Sequence, residues 1–242
     1  MTYLPETPRE TVVGVARYVA LRMRSPKRIQ YHGVTIPVGA DGPLHALRRK
    51  LYRGLHERCE IAAVEALLRA EDVVLEIGAG SGVLSTVIAK RLARATLHTF
   101  EANPSLIPSI HRLLAQNGLT ADVRQAAVGA EDGTATFFVR EAFGSSSLVD
   151  RGGAKEITVE MVAFGRILAD LQPTFVMMDV EGAEREILAK PLPAHVRVLC
   201  AEIHPHVIGD EAASEIVRSL LAQGFILKID ASGERVLAFE RS

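Results

Sequence analysis

The glycine-rich stretch at residues 73–82 constrains the fold of this chain more than any other feature. It begins with an apolar run, which predicts a buried strand, and apolar residues recur at helical spacing after it. Between the two lie three glycines at alternate positions, Gly78, Gly80 and Gly82. A strand, glycine turn and helix in this order let a ligand approach bare backbone, because glycine has no Cβ. The turn also aims the first N–H groups of the helix at that ligand, and Ser81 is predicted to cap the helix.

Two classes of cofactor bind to turns of this kind, dinucleotides and S-adenosylmethionine. The dinucleotide fingerprint is G-x-G-x-x-G, and its third glycine would fall at Val83 in this chain. The chain instead has G-x-G-x-G, with the acidic Glu76 inside the preceding strand. The run from Glu76 to Gly82 resembles the first motif of the class I S-adenosylmethionine-dependent methyltransferases. A tight turn that binds nothing is the alternative, so the rest of the chain has to decide.

The composition fits one large α/β domain of 242 residues, with 48% hydrophobic and 24% charged residues. The net charge of −1 and the absence of long runs of like charge argue against a nucleic-acid partner. The two cysteines, Cys59 and Cys200, are far apart and form no C-x-x-C pair, which argues against a zinc site or a disulfide framework. No signal pattern and no membrane-spanning apolar run are present, so the expected compartment is the cytoplasm.

The chain is predicted to consist of an N-terminal helical and extended segment, residues 1–45, and a cofactor-binding domain, residues 46–242. Apolar spacing in the first segment predicts a helix over residues 11–23 and a short strand over residues 32–38. Residues 44–68 are predicted to be largely helical. Two acids near this helix's end, Glu57 and Glu60, are interpreted as surface charges, with a role beside the cofactor left open.

Acidic or small residues close the next predicted strands. The second strand ends on Glu101, which is placed to accept hydrogen bonds from both hydroxyls of a ribose. Asn103 is predicted to cap the following helix. The third strand, residues 122–128, closes on Ala127 and Val128, and the small residues there would leave a flat slot for an adenine. An ordinary exit from a strand is the alternative.

The C-terminal half continues the alternation of strands and helices. Residues 174–179 predict a buried strand ending on Asp179, and residues 196–203 predict another, with His204 directly after it. The last two strands flank a hairpin turn and are therefore antiparallel. The predicted fold class is α/β: a doubly wound, mostly parallel, Rossmann-like seven-stranded sheet with an antiparallel strand near the edge. Ligands bind such sheets at the carboxyl ends of the strands, where four acids converge: Glu76, Glu101, Asp179 and Glu202.

The connection at residues 140–156 is rich in glycine and serine and joins two predicted strands. Connections of this length in a compact domain are usually functional or disordered. We predict a mobile lid that becomes ordered over the active site when cofactor and acceptor bind. A surface loop without a role is the alternative.

With these residues in view, the chain resembles the FkbM family of methyltransferases over about residues 50–230. The run from Asp179 to Glu184, D-V-E-G-A-E, is the motif most particular to that family. The supporting motifs are Glu76 to Gly82, Phe100-Glu101-Ala102-Asn103-Pro104, Ala127-Val128-Gly129, Ser145-Ser146-Ser147-Leu148 and Ala201-Glu202-Ile203-His204-Pro205. The chain departs from the family at residues 162–166, where Thr-Leu-Asp is usual, so no role of that aspartate is carried over.

The resemblance implies that S-adenosylmethionine is the cofactor and that its methyl group goes to a hydroxyl of a small-molecule, sugar or lipid-linked acceptor. The residues expected to bind the cofactor are Glu76, Gly78, Ala79, Gly80, Gly82, Glu101, Ala102, Asn103, Ala127, Val128 and Asp179. The residues expected to be catalytic are Asp179, Glu181 and His204. A histidine can act as a base near neutral pH. A membrane-spanning segment is not expected, and the sequence leaves undecided whether the protein forms a homodimer.

Several alternatives remain for these residues and for the chain. Asp179 would also suit a helix N-cap, Glu181 and Glu184 would suit the positive end of a helix dipole, and His204 would suit a solvent-facing loop. No metal is expected, although Asp179, Glu181 and Glu202 could bind Mg²⁺. An NAD-dependent oxidoreductase is disfavoured by Val83 and by the C-terminal hairpin. A catalytically silent cofactor-binding protein is the third possibility.

Overall fold

The computed structural model describes residues 8–40, 44–92, 96–139 and 155–241. The predicted lid lies outside these residues except for Lys155 and Glu156, which begin a strand. The helices are α1 (Pro8–Arg24), α2 (Arg48–Arg53), α3 (Arg58–Leu67), α4 (Val83–Arg91), α5 (Ile107–Gln116), α6 (Phe164–Leu171), α7 (Glu184–Ile187), α8 (Pro205–Ile208) and α9 (Asp210–Ala222). The strands are β1 (Arg28–Tyr31), β2 (Val34–Pro37), β3 (Val74–Ile77), β4 (Leu97–Glu101), β5 (Asp122–Gln125), β6 (Ala127–Gly129), β7 (Gly133–Val139), β8 (Lys155–Ala163), β9 (Phe175–Met178), β10 (Val198–Glu202), β11 (Phe225–Leu227) and β12 (Val236–Arg241).

A seven-stranded sheet in the order β11-β12-β10-β9-β3-β4-β5 forms the centre of the molecule. Strands β10, β9, β3, β4 and β5 pair in parallel, whereas β12 runs antiparallel to both of its neighbours. The predicted doubly wound sheet with one antiparallel strand near an edge is therefore confirmed. Among the described residues, no helix is both long enough and apolar enough to cross a membrane.

Helices pack on both faces of this sheet. Successive residues of a strand point to opposite faces, so Val74 packs with α3 and α4 whereas Leu75 packs with α6 and α9. The same alternation continues in the neighbouring strand, where Phe175 and Val176 belong to the two different clusters. β3 and β9 pair with each other, and both of their faces are buried. These two strands therefore form a rigid base for the glycine turn that follows β3.

The N-terminal segment contains a strand that the sequence pattern did not indicate. β1 pairs antiparallel with β2, and the two strands form a hairpin around His32 and Gly33, both with positive φ. Exposed Arg28 and Gln30 alternate with buried Ile29 and Tyr31, as in a strand with one buried face, but the alternation covers only four residues and is hard to recognise in the sequence. The side chains of Ile29 and Tyr31 share one core with α2, α3 and α4.

The predicted third strand is two strands that belong to different sheets. β5 lies at the edge of the central sheet, whereas β6 joins a separate sheet of order β6-β8-β7. β6 pairs in parallel with β8, and β7 pairs antiparallel with β8. The chain changes partner at Ala126, and such a change leaves no mark in the apolar periodicity.

Two predicted helix caps are displaced by one to three residues. Gly82 rather than Ser81 precedes α4, with a left-handed φ of 75°, and the Ser81 hydroxyl accepts a hydrogen bond from the N–H of Val83 at 3.2 Å. Asn103 closes a turn before α5, where its Oδ1 accepts from the N–H of Ser105 at 3.1 Å. The cap position of α5 itself belongs to Leu106. The sequence correctly indicated that Ser81 and Asn103 accept backbone hydrogen bonds near the start of these helices, but it misplaced the residue at which each helix begins.

Candidate functional site

Of the four acids predicted to converge, Glu101, Asp179 and Glu202 lie at the carboxyl edge of the parallel strands, whereas Glu76 is buried beneath the turn. The glycine turn follows β3, Glu101 closes β4 and Asp179 follows β9. Glu202 closes β10, and His204 lies directly beyond it. Because β10, β9, β3 and β4 are adjacent and parallel, these residues share one rim of the sheet.

The three glycines of the turn have different structural roles. All have positive φ, of 89° at Gly78, 50° at Gly80 and 75° at Gly82. A Cβ on Gly78 would lie 2.0 Å from the carbonyl oxygen of Asp179, and a Cβ on Gly82 would lie 3.0 Å from Cγ1 of Ile110. A Cβ on Gly80 would meet no heavy atom within 4 Å among the described residues. Gly78 and Gly82 therefore permit close packing, whereas Gly80 borders open space that can receive a ligand.

Glu101 holds the glycine turn through its carboxylate. Its Oε2 accepts a hydrogen bond from the N–H of Gly80 and its Oε1 accepts one from the N–H of Asn103, both at 2.7 Å. Burial raises the pKa of Glu101 above its usual value, although these backbone donors favour the charged form. A carboxylate has about four lone-pair positions, so it can also accept hydrogen bonds from ligand hydroxyls.

Some residues expected to bind the cofactor have side chains that face the protein interior. Ala79 packs against Ile110 of α5, and Val128 lies in the core cluster on the α6 and α9 face. Ala102 and Ala127 pack in one apolar cluster of the smaller sheet, whereas Val128, the other residue of the predicted adenine slot, lies in the core on the α6 and α9 face.

Glu76 lies in the interior beneath the turn, only 1% exposed. Its Oε2 accepts hydrogen bonds from the hydroxyls of Ser85, at 2.5 Å, and Thr99, at 2.6 Å. Burial outweighs both bonds and raises the pKa of Glu76 to about 7. The carboxyl group thus joins β3, β4 and α4 under the glycines.

The stability of the cofactor-free protein should depend on the titration of Glu76. Between its unfolded pKa of 4.5 and its folded pKa of about 7, the folded state holds a proton that the unfolded state releases. The free energy of unfolding should therefore fall with rising pH by about 1.4 kcal/mol per unit, and by about 3 kcal/mol across this window. Glu76→Gln should remove this contribution in urea titrations from pH 4.5 to 7.5. The exposed Glu71→Gln is the control, and parallel wild-type and Glu76→Gln curves would contradict the prediction.

A second group of side chains surrounds His204, which is 1% exposed. Its Nε2 lies 3.7 Å from Oδ1 of Asp179, 3.6 Å from Oε2 of Glu181 and 3.5 Å from Oε1 of Glu202. Three carboxylates therefore face one ring nitrogen. We call Asp179, Glu181, Glu202 and His204 the acid–histidine cluster. His204 is buried in it rather than facing solvent in a loop.

The other ring nitrogen of His204 is held by Glu184. The His204 Nδ1 to Glu184 Oε1 distance is 2.5 Å, and the side chain of Glu184 is fully buried. Burial disfavours the charged ring, but the hydrogen bond to Glu184 and the negative charges of Glu202 and Asp179 outweigh it and raise the pKa of His204 to about 10. Glu184 belongs to the D-V-E-G-A-E motif, but the spacing gave no sign that it would hold a histidine from the segment after β10.

The acid–histidine cluster contains two carboxyl groups whose pKa values are pushed apart. Burial, together with the charges of Glu202 and Glu181, raises the pKa of Asp179 well above its usual value. The pKa of Glu202 is lowered, because His204 and Arg235 outweigh its burial. Arg235 lies 2.7 Å from Glu202. Carboxyl groups that differ in this way are typical of sites where one gives or takes a proton.

Neither Asp179 nor Glu181 lies at the terminus of a helix. α7 begins only at Glu184, with Ala183 at its cap position, so Asp179 is not an N-cap. Glu181 has φ of +50° and lies in the turn before the helix, so it shares no helix face with Glu184. The N-cap alternative for Asp179 was therefore wrong, whereas Glu184 does lie in the first turn of α7, where a helix dipole favours an acid. The turn before the helix places Asp179 and Glu181 at 3.7 Å and 3.6 Å from Nε2 of His204.

A hydrogen-bond network from the N-terminal half supports the glycine turn. The Ser81 hydroxyl donates to Oε1 of Glu57 at 3.1 Å and lies 2.9 Å from Nε2 of His56. The Tyr31 hydroxyl in turn donates to the carbonyl of His56 at 2.6 Å. Glu57 has φ of +49°, and no sequence signal indicates a left-handed glutamate. The structure therefore places Glu57 beside the turn, as one of the two interpretations of this residue allowed.

Residues 76–227 match the family described as the methyltransferase FkbM domain. No curated protein matches the chain. Among solved structures, the O-methyltransferase TomG from Streptomyces achromogenes is 16% identical over 99% of this chain and 100% of that one, with a TM-score of 0.49. Magnesium protoporphyrin IX methyltransferase from Synechocystis PCC 6803 is 14% identical over 100% of both chains, with a TM-score of 0.47. Similarities this low carry no argument about the reaction, which therefore rests on the family match and on the site.

Proposed function

Because this chain belongs to the FkbM family of methyltransferases, whose methyl donor is S-adenosylmethionine, we propose that it methylates a hydroxyl of a small-molecule, sugar or lipid-linked acceptor. One observation supports this proposal most. The backbone of Gly78 lies directly against the carbonyl of Asp179, so that a Cβ would not fit between them. A cofactor bound to the glycine turn and an acceptor bound at the acid–histidine cluster would therefore be neighbours.

The residues of the turn fit S-adenosylmethionine. Open space borders Gly80, and Glu101 can accept hydrogen bonds from ribose hydroxyls. Ala102 and Ala127 share one apolar cluster, and their small side chains would leave room for a flat adenine ring. When bound, S-adenosylmethionine supplies a methyl group that its sulfonium makes electrophilic. What remains for the protein is to orient the acceptor and to take its proton.

The acid–histidine cluster can perform both tasks. Holding the acceptor oxygen in line with the methyl group can contribute about 7–11 kcal/mol. A positioned base adds roughly 10²–10⁴-fold, and a carboxylate with a raised pKa, such as Asp179, is a stronger base than an ordinary one. With a pKa of about 10, a metal-free His204 keeps its proton at neutral pH. We therefore assign the acceptor's proton to the carboxylates, with Asp179 first, and a positioning role to His204.

The acceptor class is tested by methyl transfer from labelled S-adenosylmethionine into fractionated metabolite extracts. The expected result is a labelled product whose methyl group is an ether carbon, whereas a methyl ester would indicate a carboxyl acceptor and contradict the proposal. Labelling of nitrogen or carbon would refute O-methylation. Binding of S-adenosylmethionine without transfer to any fraction would favour the silent cofactor-binding protein. The net charge of −1 speaks against a nucleic-acid acceptor.

Glu101→Ala should weaken binding of S-adenosylmethionine by about 1.5–3 kcal/mol, because hydrogen bonds to a charged group have this magnitude. Isothermal titration calorimetry measures the affinity, and Glu101→Gln, which keeps one acceptor oxygen, should lie between the variant and the wild type. The exposed Glu131→Ala is the control. Unchanged affinity in Glu101→Ala would show that the ribose is bound elsewhere. Titration with NAD should give no saturable binding, and tight binding of NAD would favour the oxidoreductase.

A further inference from the structure

We propose that Asp179, Glu181 and His204 bind a divalent transition-metal ion at the acid–histidine cluster, next to the glycine turn. This inference deepens the proposed function. The role of the ion in methyl transfer rests on that function, whereas binding of the ion rests on the geometry alone.

The three side chains offer ligand atoms at suitable separations. One atom from each residue lies within 4.8 Å of the other two, and His204 Nε2 is 3.6–3.7 Å from the two carboxylate oxygens. Ligands about 2.1 Å from a shared ion lie about 3.0–3.4 Å apart at angles between square and tetrahedral. Small side-chain movements would therefore close the site. Three protein ligands leave positions open, as in catalytic metal sites.

The orientation of His204 is that of a metal ligand. Glu184 holds Nδ1 at 2.5 Å, and a carboxylate in this position fixes the ring and directs Nε2 at the metal in many metalloproteins. His204 is 1% exposed, and its Nε2 has no hydrogen-bond partner among the described residues. Oδ1 of Asp179 is also buried without one among them. Leaving a buried polar atom unsatisfied costs about 1–3 kcal/mol, and one ion would satisfy both atoms.

The charges around the ring also favour a cation. Carboxylates from the segment after β9 and from the end of β10 face the same nitrogen. Arg235 pairs with Glu202 at 2.7 Å. Oxygens of Asp179 and Glu181 lie within 4.8 Å of each other beside Nε2, and a divalent ion there would replace the repulsion between the two carboxylates with attraction.

The ligand types select the class of ion. Mg²⁺ prefers oxygen ligands and keeps several waters, whereas imidazole suits first-row transition metals and carboxylates suit Mn²⁺. Two carboxylates with one imidazole therefore favour Mn²⁺ and its neighbours over Mg²⁺. An open position on the ion could bind the acceptor hydroxyl and lower its pKa.

The test is titration of Mn²⁺ into the full-length, chelator-treated protein without cofactor, followed by calorimetry and by electron paramagnetic resonance. We expect one saturable site per chain, with Mg²⁺ binding at least about tenfold more weakly. Asp179→Asn, Glu181→Gln and His204→Ala should each weaken Mn²⁺ binding by at least about tenfold, and Glu184→Gln by about 10–100-fold. The exposed His111→Gln, on α5, is the matched control and should bind Mn²⁺ as the wild type does.

The volume-conserving variants Asp179→Asn and Glu181→Gln keep the test informative if His204→Ala fails to fold. Absence of saturable Mn²⁺ binding in the wild type would overturn the proposal. Binding that neither variant weakens would also overturn it, because the ion would then lie elsewhere. Saturable binding without methyl transfer would support the site and refute the proposed function. Full methyl transfer in the presence of EDTA would overturn the role of the ion in the reaction.

Discussion

Asp179→Asn should lower the turnover of methyl transfer by about 10²–10⁴-fold, the contribution of a positioned base. Asparagine keeps the shape of the side chain but neither accepts the acceptor's proton nor carries a charge. The contact between Asp179 and Gly78 involves the backbone and should be unchanged. Single-turnover assays with labelled S-adenosylmethionine measure the chemical step apart from product release.

The matched control for this variant is Asp170→Asn, which changes an exposed aspartate of α6 in the same way. It should retain the wild-type rate. A rate for Asp179→Asn within about twofold of the wild type would remove Asp179 from the reaction and leave its carboxylate without a catalytic role.

Gly78→Ala should destabilise the fold itself. The new Cβ would lie 2.0 Å from the carbonyl oxygen of Asp179, and the φ of 89° is unfavourable for alanine. Overpacking costs about 1–3 kcal/mol and a left-handed residue about 1–2 kcal/mol, so a loss of about 2–5 kcal/mol of unfolding free energy is expected. Urea titration followed by circular dichroism measures it. That loss is a large part of the 5–15 kcal/mol typical of a domain.

Gly80→Ala is the informative partner of this variant. No heavy atom of the described residues lies within 4 Å of its Cβ, so only the left-handed backbone cost of about 1–2 kcal/mol should appear. Binding of S-adenosylmethionine should nevertheless weaken strongly, because the methyl group enters the space left for the ligand. Normal binding by Gly80→Ala would show that this space is not the cofactor site, and a stable Gly78→Ala would show that the contact with Asp179 can relax.

The centre of the fold could be predicted because its strands are buried on both faces. Such strands appear in the sequence as apolar runs, as in β9 and, apart from Glu76, in β3; Asp179 follows β9 and the glycine turn follows β3. The rule that parallel strands present their carboxyl ends to one rim then places Asp179 and His204 near the glycine turn. Pattern and topology together thus indicated which residues meet, although not how they contact each other.

What the sequence could not indicate depends on tertiary partners. Glu184 holds His204 across two elements, and Glu57 reaches Ser81 only because its backbone is left-handed. The transfer of β6 to a second sheet likewise reflects pairing with β8, which lies more than 25 residues away in the sequence. These arrangements follow from packing between distant segments, and short-range periodicity carries no information about them.

The position of β12 has a consequence for how the chain folds as it is synthesised. β11 emerges first, yet its partner in the sheet is β12, which lies between β11 and β10. Until β12 inserts, β10 presents an unpaired apolar edge, and such edges promote association between nascent chains. Completion of the sheet therefore has to wait for the last of its strands to be made.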